Sequence, residues 1–117
     1  MTAAEWLASR TPRPPAVLAD RMRAALASLP GAGPVEHGPD AYLAAAEALL
    51  AGLLRDGCDA RESALDLLVA DALVTYAFEA AGEEPARLAE RASTAMRRIA
   101  SLASAAGDRG ARAGADA

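Results

Sequence analysis

Residues 60–81, ARESALDLLVADALVTYAFEAA, constrain this chain more than any other stretch. Leu65, Leu68, Val69, Leu73 and Tyr76 recur at helical spacing and form one apolar stripe; Leu67, Val74, Phe78 and Ala81 form a second beside it. A helix apolar over so much of its circumference has to be covered by neighbours on several sides. At about 1.5 Å rise per residue it spans roughly 33 Å, the length of a small domain. The segment reads as the central rod of a bundle, closed by Gly82, and its large apolar residues as core or interface.

The remaining segments supply the helices that such a rod needs. Thr2 to Glu5 has capping-box spacing, T-x-x-E, ahead of Trp6 and Leu7, and predicts a short helix over 3–9 whose two large residues cover one end of the bundle. Pro12, Pro14 and Pro15 end it and start a helix over 15–29, with Leu18, Met22, Ala25, Leu26 and Leu29 on one face. Residues 30–39, PGAGPVEHGP, are a loop, and His37 within it reads as solvated, with no ligand-type residue at metal-binding spacing.

A helix over 40–56 follows, with Asp40 as its cap, Leu43, Ala46, Leu50, Leu53 and Leu54 as its stripe, and Gly57 after its end. Cys58 is read as a structural turn residue, and Asp59 to Glu62 repeats the capping spacing, so this helix and the central one form an antiparallel hairpin. Pro85 opens a last helix over 85–106 with a seam of Leu88, Ala92, Ala95, Met96, Ile99, Leu102 and Ala106. Residues 107–117 contain no large apolar side chain and are expected to be a disordered tail.

Composition sharpens the picture. Ala occupies 34 of 117 positions, which favours helix but buries little area per residue. Trp6, Tyr42, Tyr76 and Phe78 are the whole aromatic complement. A core that thin, in a chain burying on the order of 65% of its unfolded surface, raises the expectation that apolar area is shared with a second copy or another helical protein. Lys is absent, and Arg in its place fits a GC-rich coding sequence.

The formal charge of −4 argues against a nucleic-acid partner, which requires a basic face. Arg87, Arg91, Arg97 and Arg98 do cluster, but beside Glu83, Glu84 and Glu90, as on a solvated mixed-charge face. A lone cysteine, no signal-type segment at the start and no long charge-free run point to a cytoplasmic protein without a membrane span.

Motifs for metal, nucleotide and nucleophile chemistry are missing: no C-x-x-C, no E-x-x-H, no phosphate-cradling glycine loop. No catalytic residue, metal site or cofactor is expected. Asp71, Thr75 and Glu79, spaced by four, draw one polar line along the central helix. It is either that helix's solvent stripe or, if Asp71 is buried against Arg91 or Arg98, a device that sets register.

Residues 68–79, LVADALVTYAFE, resemble a helix of the trans-isoprenyl diphosphate synthases that often reads LAGDALLTxAFE. Leu68, Asp71, Ala72, Leu73, Thr75, Ala77, Phe78 and Glu79 match, and Ala70 replaces the family's glycine. The resemblance implies an all-helical bundle, with this segment near a dimer interface and a chain-elongation cavity. Both D-D-x-x-D motifs that hold magnesium and diphosphate are absent, so it implies a degenerate or accessory module that binds a prenyl chain or a synthase partner, not a synthase.

The expectation is therefore an all-α fold: one domain over 1–106, a compact antiparallel bundle of four main helices plus a short N-terminal one. Such a protein is expected to be non-catalytic and to work through protein–protein contacts, first of all as a homodimer.

Overall fold

The hydroxyl of Thr2 accepts the Glu5 backbone N–H at 3.2 Å, and the Glu5 carboxylate accepts the Thr2 N–H at 2.8 Å. This reciprocal cap starts α1 (Ala3–Ala8) where the T-x-x-E spacing predicts it. A computed structural model describes residues 1–56 and 61–115, with side chains described as far as Asp108. α2 (Ala16–Ala27), α3 (Pro39–Asp56), α4 (Arg61–Ala81) and α5 (Leu88–Ala115) complete an all-α bundle of four main helices and one short one.

Helix directions follow from side-chain meetings. Leu43, near the start of α3, lines one small cavity with Ala77, Phe78 and Ala81 at the end of α4, so these two helices run antiparallel. Asp40 and Leu43 lie beside Arg87, Arg91 and Thr94, and Glu47 meets Arg98 two turns on, so α5 runs parallel to α3. Thr2, Ala3 and Ala4 lie against Leu26 and Leu29, while Leu7 and Ala8 lie near Ala16, Ala19 and Met22, which makes α1 antiparallel to α2.

The core contains Trp6, Met22, Leu26, Tyr42, Leu43, Val69 and Leu73 around a floor of alanines. Ala45, Ala46, Ala70 and Ala77 are buried, and their small side chains let α3 and α4 pack along their length. No polar or charged residue is buried among the described residues.

Three expectations change. α3 begins at Pro39, so Asp40 lies inside its first turn and complements the helix dipole instead of capping the end. After a single 3-10 turn over Pro85–Arg87, α5 continues to Ala115, well past the expected limit of 106; it is 28 residues long against 18 for α3. The radius of gyration, 15.4 Å against about 13 Å for a compact chain of this length, fits a helix that outruns its neighbours. Gly57, Cys58 and Asp59, expected as a helix end and turn, Ala60, expected to open the central helix, and residues 116–117 lie outside the described residues.

The third change concerns α4 itself. Its inner face, Val69, Ala70, Leu73, Ala77, Ala80 and Ala81, is buried as a central rod requires. Its outer face is open: Leu67 is 50% and Leu68 54% exposed. Only α3 accompanies α4 along its length. α2 reaches it at Asp66 and Glu62 through Arg21, the N-terminal segment at Tyr76 and Glu79 through Trp6 and Arg10, and α5 close to Ala77 and Phe78. Too few neighbours remain to close the bundle round it.

Candidate functional site

Two regions qualify, and the first was not legible in the chain. The backbone of residues 1–3 pairs with residues 35–37 of the Pro/Gly loop: Ala3 N–H donates to Val35 O at 2.8 Å, and His37 N–H to Met1 O at 3.0 Å. Gly31 and Gly33, with φ of +133° and +87°, let the loop turn back to make this pairing. His37 is carried by it onto the indole of Trp6, with ring centroids 4.6 Å apart and planes 20° from parallel.

Around that pair the polar groups close a network. Nε2 of His37 lies 3.0 Å from Glu83 and Nδ1 lies 2.7 Å from the Tyr42 hydroxyl, which also reaches Ala3 O at 3.4 Å. The Trp6 indole N–H donates to the second oxygen of Glu83 at 2.9 Å. Tyr76 meets the Trp6 ring edge-on, and the Arg10 guanidinium sits 4.2 Å from its centroid while pairing with Glu79 at 3.1 Å. Three of the chain's four aromatic residues and its one histidine thus converge. His37, read from sequence as solvated, has a side chain only 16% exposed.

Hydrogen bonds from His37 and Trp6 hold the Glu83 carboxyl below the usual carboxylate range. Burial, with the Glu83 charge adding to it, pushes the Tyr42 phenol well above its ordinary value. An acid, an imidazole and a phenol in line can pass a proton. Here Tyr42 is fully buried, and two grooves of about 420 and 310 Å³ flanking α1 are lined by residues other than Trp6, His37, Tyr42 and Glu83. A groove of about 270 Å³ lies at the network's edge, lined by Arg10, Tyr76 and Glu79. The network works as a clasp joining α1, the loop, α3 and the end of α4.

The second region is the outer face of α4. Of the residues singled out from sequence, Val69 and Leu73 are core, and Leu65, Val74 and Tyr76 sit at its margin. Leu68 and Phe78, the latter 38% exposed, face outward. Asp71, Thr75 and Glu79 are all exposed. Thr75 donates to the Asp71 carbonyl at 2.9 Å, a local bond within the helix. The buried pairing of Asp71 with Arg91 or Arg98 does not occur: Arg91 bonds Glu84 and Arg98 pairs with Glu47. The polar line is a solvent stripe that continues from the exposed Leu67, with Leu68 on one side and Val74 and Phe78 on the other.

Among the described residues no three His, Cys, Asp or Glu side chains converge as a metal ion requires, and no helix is long and apolar enough to cross a membrane. No family model, curated protein or solved structure matches the chain.

Proposed function

We propose that this chain is a non-catalytic cytoplasmic helical module that acts through protein–protein contacts, self-association first among them. The observation that carries the reading is the uncovered face of α4, where Leu67 and Leu68 are each half exposed or more. Leu54 on α3 adds a further apolar side chain, 45% exposed. Single exposed leucines are ordinary, but adjacent ones on a helix otherwise built as a central rod leave apolar area that association removes from water.

Light scattering over a concentration series tests it. The expected result is a discrete dimer that reverts to monomer in the double variant Leu67→Asp, Leu68→Asp, with helical circular dichroism retained. A chain monomeric at every concentration, with the same mass in the variant, overturns self-association.

A second reading rests on the synthase-like residues 68–79, whose helix presents Leu67, Val74 and Phe78 along one edge, an apolar strip suited to a prenyl chain. It predicts thermal stabilisation by a prenyl diphosphate that Phe78→Asp abolishes. Absence of any shift removes it.

A further inference from the structure

The clasp holds His37 between an acid and a phenol, and the two protonation states of its ring satisfy the surroundings differently. An ionised carboxylate only accepts hydrogen bonds, so a neutral imidazole facing Glu83 at 3.0 Å carries its one N–H on Nε2. Nδ1 is then an acceptor and takes the Tyr42 hydroxyl hydrogen at 2.7 Å. In that state the hydroxyl has no proton left for the Ala3 carbonyl.

A second proton on the ring reverses the Tyr42 bond. Nδ1–H donates to the phenol oxygen, and the hydroxyl hydrogen turns to Ala3 O, 3.4 Å away. One hydrogen bond between α3 and α1 is added. The bond to Glu83 becomes one between opposite charges, and a cation now stacks on the Trp6 ring.

Other charges near the ring act with different signs. Arg10, 4.2 Å from the same indole, opposes a second cation, but Glu79 at 3.1 Å offsets its charge. Glu36, the residue before His37, is paired with the Met1 amino group at 3.7 Å. Glu83 is the acid in direct contact with the ring.

We propose that protonation of His37 tightens the attachment of α1 to the bundle, by adding the Tyr42–Ala3 bond and turning the contact with Glu83 into an ion pair. Trp6 and Leu7 leave with α1, so loosening uncovers the apolar surface around Tyr42 and Met22.

The test is amide hydrogen exchange of residues 3–10 in the full chain, corrected for intrinsic rates, from about pH 8 down to about pH 5, beside an NMR titration of the one imidazole. Protection of these amides is expected to rise about two- to fivefold with the midpoint of the imidazole titration, the size of a partly exposed ion pair. The rise should vanish in His37→Gln. Protection that ignores the imidazole titration overturns the proposal, as does a rise that persists in His37→Gln. The wild-type comparison decides alone if the variant does not fold.

Discussion

The indole N–H of Trp6 donates to Glu83, a residue 77 positions away, at 2.9 Å. That bond ties the first helix of the chain to the end of the fourth. It gives the N-terminal segment a load to carry in a fold where about half of the other buried residues are alanine.

Removing the indole should therefore cost far more than its position near the N-terminus implies. Trp6 is 3% exposed, and Trp6→Ala is expected to lower unfolding free energy by about 3–5 kcal/mol, the range for a buried aromatic. Trp6→Phe keeps most of the packing, loses the bond to Glu83, and should fall between the two. Urea unfolding of the three proteins orders them.

The two faces of α4 should respond to truncation to very different degrees. Leu73, fully buried, is expected to lose about 2–5 kcal/mol on Leu73→Ala. Leu68→Ala, at a residue 54% exposed, should change monomer stability by no more than about 0.5 kcal/mol. Denaturant midpoints at low protein concentration make the comparison.

Acid should loosen the fold through Glu83 and Glu62. His37 and Trp6 lower the first, and Arg21 lowers the second, from an ordinary value of 4.5. A group depressed in the folded state stabilises above its unfolded value and loses that contribution as pH falls through the folded one. Unfolding free energy should thus decline below about pH 4.5, and Glu83→Gln should flatten the slope. Chemical denaturation at a series of pH values measures it.

Alkali should act through Tyr42. Its phenol is raised above the ordinary value of 10.0 by burial, so the stability tied to its neutral form is present below that pH and is lost as pH climbs beyond it. Spectrophotometric titration should show one tyrosine ionising only as the helices melt, and Tyr42→Phe should remove this step.

The loop should distinguish its glycines. Gly33 holds φ of +87°, where an L side chain is strained, and Gly33→Ala is expected to cost about 1–2 kcal/mol. Gly38 has no such φ, and an added methyl there meets nothing within 4 Å. Gly38→Ala should be close to neutral in the same thermal melts.

Much of the local structure is written in short-range chemistry. Thr2 and Glu5 announce their cap by spacing, Pro15 and Gly82 sit where helices start or stop, and the inward set Val69, Leu73 and Ala77 follows from helical periodicity. His37 is another matter. What takes it to Trp6 is a backbone pairing between residues 1–3 and 35–37, which involves no side chain and leaves no pattern in the sequence. The scarcity of aromatic residues was the one available hint that the few present had a common place to go. The open face of α4 was equally hidden, because periodicity tells which sides of a helix are apolar but not how many neighbours arrive to cover them. The length of α5 is not legible in the sequence, because residues 107–115 hold three glycines beside three alanines and have no apolar stripe to mark a helix.

Trp6 is the chain's single tryptophan, and an imidazole ring lies flat against it. No other indole contributes, so the emission of that one buried fluorophore reports on the surroundings of the N-terminal segment without any label. The molecule comes with its own optical gauge, placed where the first helix meets the rest of the bundle.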